Sequence, residues 1–331
     1  MIRIAIVVLC MIIAMPLGIS AAGAHPGTRT TTVPEGTITS DITWNAASSP
    51  YVIEGNVTIS PTGSLSIDPG VTVIIGKGLR IGVEGKLLIK GTGIDNVTIT
   101  DTGTGAFDGI YFSSGSYGRI DRLAMNGCKN GIDASGAGTI VHVLNSTVDA
   151  DSVGIASRTG ATVWAINDTI AGSPRLVVSS ADIYEGWWLF FRAVLDNGNP
   201  WKGAELKATV YPESGDRIAY DSIGGPDPDT GADGRVRAIP IDEHHHSGSI
   251  SSYVSKLYLR MLSFDPERQW TKNYGYLNIT GNIEYTWILD NTAPPAPEEV
   301  SIIERGGEYL VIEWSWDHNS NDHQLDYFAV A

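Results

Sequence analysis

The sequence predicts an all-β chain dominated by a right-handed parallel β-helix, and three observations carry that expectation. Short runs that alternate apolar and polar residues recur from Asn56 to Ile170, among them Val57-Thr58-Ile59, Val71-Thr72-Val73-Ile74-Ile75, Leu79-Arg80-Ile81-Gly82-Val83, Leu87-Leu88-Ile89 and Val97-Thr98-Ile99. The runs are separated by a few residues rich in Gly, Asp, Ser or Pro, and none has helical spacing. Further on, Gly109-Ile110, Gly131-Ile132 and Gly154-Ile155 return at intervals of 22 and 23 residues, a period that fits one coil of three short strands. In such a solenoid each coil buries its inward side chains only by stacking on the next, so the spacing predicts that Ile110, Ile132 and Ile155 form one inward ladder. By the same argument Ile120, Ile140 and Val163 form a second.

The first element of the chain is a leader. Arg3 gives a positive start, residues 4–13 are unbroken in apolar side chains apart from Cys10, Pro16 and Gly18 break the run, and Ala22-Gly23-Ala24 offers small residues for a cleavage site. Residues 1–24 therefore read as a secretory signal peptide and the mature protein as secreted. Cys10 follows Val7-Val8-Leu9, which lacks the small residue of a lipoprotein signal. No other stretch approaches the roughly 20 apolar residues of a spanning helix. Of the two cysteines only Cys128 survives cleavage, so the domains must be stable without internal disulfides. The formal charge of −15 disfavours nucleic acid and anionic membranes as partners.

Residues 25–40 are polar and Thr-rich and read as a linker, and the β-helix is assigned to residues 41–175. Its opening, Ile42-Thr43-Trp44, then Ser49-Pro50-Tyr51-Val52-Ile53-Glu54-Gly55-Asn56-Val57-Thr58-Ile59 and Gly63-Ser64-Leu65-Ser66-Ile67-Asp68-Pro69-Gly70-Val71-Thr72-Val73, resembles the first coils of β-helix domains in large archaeal and bacterial cell-surface proteins. The resemblance implies an adhesin-like or surface-layer-associated role, with cell-surface glycans or envelope proteins as partners. It names no ligand.

Near Leu176 the repeat stops. Tyr184 to Leu195 holds Trp187, Trp188, Phe190 and Phe191 in one strand that is apolar on both faces, which fits the inside of a β-sandwich. Asn197-Gly198-Asn199-Pro200-Trp201-Lys202-Gly203-Ala204 and Asp233-Gly234-Arg235-Val236 resemble turns of carboxypeptidase-regulatory-like and immunoglobulin-like domains, which implies a spacer or adhesive sandwich over residues 176–290. After the Pro-rich stretch that opens residues 291–331, Val300 to Ile303, Leu310 to Trp316 and Leu325 to Val330 resemble the first strands of a fibronectin type III domain, with Trp314 and Tyr327 at core positions. A sandwich of that class needs about seven strands, so this one reads as truncated.

Candidate chemistry is sparse. Asn56, Asn96, Asn145, Asn167 and Asn278 stand in Asn-x-Ser/Thr sequons, which export would expose to N-glycosylation. Strand starts of the form Asn-x-Thr produce the same pattern without a glycan. Asp227, Asp229 and Asp233 place three carboxylates in a Gly-rich loop able to wrap Ca²⁺, and equally make an Asp/Gly/Pro turn. No other cofactor is expected. Glu243-His244-His245-His246 offers imidazoles to Zn²⁺ or Ni²⁺, although neighbours on a strand point to opposite faces. A pectate-lyase-like or glycoside-hydrolase activity on the β-helix would need paired carboxylates, or carboxylates with Ca²⁺ and an Arg or Lys base. Asp108, Asp121, Arg122, Asp133, Asp149, Asp151 and Arg158 are the available groups, and they do not recur at one coil position. Trp187, Trp188 and Trp201 form a sugar-stacking platform if exposed and a core if not. The expectation is a non-catalytic surface scaffold or adhesin, with no catalytic residue assigned; an extracellular polysaccharide-active enzyme is the alternative.

Overall fold

A computed structural model describes residues 30–211, 217–218, 231–248, 250–253, 256–265, 268–279, 281–289, 299–305 and 310–315. The signal segment, Asp227, Asp229 and Tyr327 lie outside the described residues.

From Thr31 to Gly186 the chain winds a parallel β-solenoid of seven coils. Each coil contributes one strand to each of three sheets, and every strand lies parallel to its counterparts in the coils before and after. The first coil, for example, is Thr31–Val33, Gly36–Ile38 and Asp41–Trp44, and the fifth is Leu123–Cys128, Ile132–Ser135 and Ile140–Leu144. The alternation seen in the sequence is the cause. Side chains along a strand point to opposite faces, and Val57-Thr58-Ile59 buries Val57 and Ile59 while Thr58 is half-buried. Two strands lie in the segment expected as a linker, because Thr31 and Gly36 pair with Tyr51 and Val57 of the second coil. The ladder also passes the expected boundary at residue 175.

The core is a set of ladders running down the solenoid. In the second sheet Val57, Ile81, Ile110, Ile132, Ile155 and Leu176 lie in register through six coils, and the first five are buried. The Gly-Ile repeat therefore marks a real ladder. In the first sheet Tyr51, Val73, Ile99, Met125, Val148 and Ile170 stack in the same way. Full burial of side chains of this size is worth about 1.5–3 kcal/mol each.

The second expected ladder does not form as counted. Ile120 lies opposite Val143, whereas Ile140 faces Tyr117 and Thr162 and is 41% exposed. The coil from Ile120 is three residues longer than the count to Ile140, which moves the inward partner to Val143 and leaves Ile140 on the outer parity. Val163 belongs to a different ladder, Leu65, Leu87, Gly118, Val141, Val163 and Ile183. Gly118 is no gap there. A Cβ at that position would come within 2.6 Å of the Phe112 ring, so the phenyl group fills the space the glycine leaves.

Beyond the seventh coil the third sheet does not end. Its last solenoid strand, Asp182–Leu195, pairs parallel with Thr162–Ile166 over its first five residues and then parallel with Ile283–Leu289 from Leu189 onward. Along its other edge Arg235–Ser247 runs antiparallel, followed by Ile250–Tyr253. One strand thus closes the solenoid and opens the downstream unit, which explains why it is apolar on both faces. A separate antiparallel sheet joins Arg217–Ile218, Ala204–Tyr211, Lys256–Asp265 and Arg268–Asn278, and Glu299–Arg305 pairs with Leu310–Ser315. Among the described residues the chain is all-β apart from the short 3-10 turn Ala46–Ser48, and no helix there is long and apolar enough to cross a membrane.

Candidate functional site

Two constellations gather the polar groups of the solenoid. The first lies on the outer face of the second sheet, where parallel register brings side chains from successive coils side by side. Tyr111 stands opposite Asp133, and its Oη accepts from Asn130 Nδ2 at 2.9 Å and donates to the Asp108 carbonyl at 3.3 Å. The Arg80 guanidinium sits 5.6 Å from the Tyr111 ring centre, within cation–π range. Arg158 Nε reaches both Asp133 oxygens, at 3.3 and 3.2 Å. Burial raises the Asp133 carboxyl above its ordinary range although Arg158 opposes it, and burial raises the Tyr111 phenol, with Asp108 and Asp133 adding to the effect.

Of the seven acidic and basic candidates, this face brings together Asp108, Asp133 and Arg158. Asp149 and Asp151 are exposed, and Asp121 and Arg122 sit at another corner. Two of the bonds on the second sheet join one coil to the next, Tyr111 to Asn130 and Asp133 to Arg158. The Asp133 carboxylate is paired with its own arginine. The groups act as brackets between coils.

The second constellation is the corner between the third and first sheets, together with the junction below it. Arg122, Asn145 and Asn167 occupy this corner one coil apart, all in the left-handed region, with φ of 52°, 52° and 57°. Asn tolerates that conformation better than most residues. Asn145 Nδ2 donates to Asp121 Oδ1 at 3.1 Å, and Asn167 Nδ2 donates to Asn145 Oδ1 at 3.0 Å. Trp188 Nε1 donates to the same Asn145 oxygen at 2.8 Å. The ladder then leaves the solenoid: Asn282 Nδ2 donates to Asn167 Oδ1 at 3.3 Å, while Asn282 Oδ1 accepts from the Trp188 backbone N–H at 2.9 Å.

Beside the ladder Asp168 Oδ1 accepts from the Ser146 backbone N–H at 2.6 Å, whereas its Oδ2 is buried and without a hydrogen-bond partner. Burial, and then the nearby carboxylates Asp121 and Glu185, push the Asp168 carboxyl well above the usual range. Glu185 is the last rung of the otherwise apolar ladder that passes through Ala165. It is bound by Arg175 Nη2 and by His246 Nε2, the latter at 2.9 Å. Burial alone would raise Glu185, yet the His246 bond and the Arg175, His246 and His244 charges hold it below its ordinary value.

The outer face of the third sheet is apolar here. Leu144, Trp164 and Ile166 are buried and packed with Tyr184 and Trp188. Trp164, Tyr184 and His245 stack with centroids 4.2 Å apart at each step, and His245 Nε2 lies 3.0 Å from Asp182 Oδ1. His142, next to this stack, is 5% exposed; burial, with Arg119 nearby, lowers its imidazole to about 4.

No family model, no curated protein and no solved structure matches this chain.

The remaining expected sites fall as follows. His245 turns to the outer stack while His246 turns to Glu185, so the three histidines do not converge, and among the described residues no group of three or more His, Cys, Asp or Glu side chains is arranged to hold a metal ion. Asp233 is exposed and its Oδ1 accepts from the Arg235 backbone N–H at 3.0 Å, a turn contact. Trp187 and Trp188 point to opposite faces, with Nε1 of Trp187 on Glu243 Oε2 at 2.7 Å, and so form no single platform; Trp201 is half-buried. Asn56 and Asn96 are exposed, and Asn278 pairs with Lys256 through the backbone. Sequence reasoning missed the asparagine ladder. Its signal was present, since Arg122, Asn145 and Asn167 repeat with the coil period.

Proposed function

We propose that the protein is an exported, non-catalytic scaffold or adhesin of the cell surface, in which the solenoid is a stiff spacer that carries the downstream modules. In this reading the antiparallel region is an immunoglobulin-like or carboxypeptidase-regulatory-like module, and the hairpin at Glu299–Arg305 and Leu310–Ser315 begins a fibronectin type III module. The observation that carries the proposal is the use to which the charged groups are put. Asp133 is tied to Arg158, Asp121 to Asn145, and Glu185 to Arg175 and His246, so groups a polysaccharide lyase or hydrolase would aim at a sugar instead brace one coil against another. Continuity of the third sheet supports a load-bearing role.

Two measurements test the reading. Labelling of intact source cells with a membrane-impermeant reagent should tag the protein; a protein protected until lysis would sink the surface assignment. Incubation with uronic-acid polysaccharides and Ca²⁺ should release neither unsaturated products nor reducing ends, whereas turnover that vanishes in Asp133→Ala would establish the enzymatic alternative. Binding to a glycan array or to isolated envelope then identifies the partner.

A further inference from the structure

We propose that Asn96 is an N-glycan acceptor of the solenoid, and that Asn145 and Asn167, although they stand in sequons of the same form, are structural rungs that carry none. The inference rests on the export reading and adds to it a site of modification.

The four sequons at the solenoid corners have different geometry. Asn145 and Asn167 sit in the left-handed conformation with both side-chain amides committed: each Nδ2 donates to the rung above, and each Oδ1 accepts from the rung below. Successive rungs are one strand spacing apart, about 4.8 Å. That gap holds an amide and excludes a sugar ring. Asn56 is exposed, but its Oδ1 is pinned by the Arg80 backbone N–H at 3.1 Å. Asn96 alone of the four is exposed with a side chain that makes no hydrogen bond among the described residues, and it ends a turn in which residues 92–96 are all exposed.

A second observation points to the same place. Ile94, two residues before Asn96, is 93% exposed, the most exposed large apolar side chain among the described residues. Its exposure shows that the turn stands clear of the coil, where a transferase can reach it.

The reaction needs a lipid diphosphate-linked oligosaccharide and its transferase. Asn96 Nδ2 attacks the anomeric carbon, the bond from that carbon to the phosphate oxygen breaks with its electron pair leaving on the lipid diphosphate, and Nδ2 gives up one proton to a base. One N–C bond forms and one C–O bond breaks, with no change in oxidation state.

The test uses the chain with residues 1–24 replaced by the leader of a glycosylating secretory host, so that its outcome does not depend on whether this chain's own leader works. Intact glycopeptides of the folded product should show a glycan on Asn96 and bare Asn145 and Asn167. Asn96→Gln should remove that glycan without shifting the melting temperature, whereas Asn145→Gln should lower the melting temperature without changing the glycan count. A bare Asn96, or a glycan on Asn145 or Asn167 of the folded protein, would overturn the proposal while leaving the export reading standing. Failure of the native leader to direct export, measured separately, would remove the export reading instead.

Discussion

Asn282 donates from its amide to the side-chain oxygen of Asn167 across 115 positions of sequence. The bond makes a residue of the downstream unit the next rung of a ladder that begins at Asp121 inside the solenoid. Trp188 locks the same corner from the shared strand, by its indole to Asn145 and its backbone to Asn282.

Asn145 is the busiest rung, and its loss should cost most. Asn145→Ala leaves Trp188 Nε1 and Asn167 Nδ2 without their acceptor, so a loss of about 1–3 kcal/mol in urea unfolding is expected. Asn167→Ala and Asn282→Ala should each cost about 1 kcal/mol, and their double variant less than the sum because the two share one bond. Strict additivity would mean the bond contributes nothing.

Two isoleucines test the ladder assignment in opposite senses. Ile132→Asp buries a charge with no partner and should destabilise the protein by several kcal/mol. Ile140→Asp, on the outer parity, should stay within about 0.5 kcal/mol of wild type. Equal melting temperatures for the two variants would contradict the register.

Asp168 carries a liability that rises with pH. Its folded carboxyl holds a proton more tightly than the unfolded one, so its contribution is fully present below pH 3.8, the unfolded value, and falls as pH climbs above it. Asp168→Asn keeps the acceptor for the Ser146 N–H and removes the ionisation. The variant should melt higher than wild type at pH 7 and converge with it near pH 4; a lower melting temperature at pH 7 would show that the ionised carboxylate is needed.

His142 acts in the opposite sense. Its folded value near 4 lies below the unfolded 6.5, so stability is complete above pH 6.5 and is lost as pH falls toward 4, by on the order of 3 kcal/mol. Melting curves of His142→Gln should be flatter than wild type across that window. An unchanged slope would place the acid sensitivity elsewhere.

Cys128 should report global unfolding. Its thiol is fully buried, its Sγ contacts the Asp149 carbonyl at 3.4 Å, and burial pushes it up to about 12. A thiol reagent should modify it only as fast as the chain unfolds. Rapid labelling under native conditions would show that the first sheet opens locally.

The solenoid was legible because period-two alternation and a coil-length repeat are local in sequence. Val57, Ile110 and Ile132 announce their burial through their immediate neighbours. Register was only partly legible: coils differ in length by a few residues at their turns, and a count that ignores this assigns Ile140 to the ladder in place of Val143. The junction was not legible at all. Trp188 meets Asn145 and Asn282 meets Asn167 only after the intervening chain has folded, and Glu185 stands at an inward position where alternation expects an apolar residue. Its partners Arg175 and His246 are what make a carboxylate tolerable there. Likewise the shared strand looked like the interior of a separate sandwich, since apolarity on both faces does not reveal whether the neighbours are parallel or antiparallel.

The uninterrupted third sheet has a metrical consequence. Because every coil adds one strand to each sheet, removal of one whole coil would bring the downstream unit closer by about 4.8 Å and leave its orientation about the long axis nearly unchanged, apart from the small twist between neighbouring strands. Removal of a third of a coil would instead swing everything after it to a different side. Length in this molecule is quantised, and the coil is the graduation on its scale.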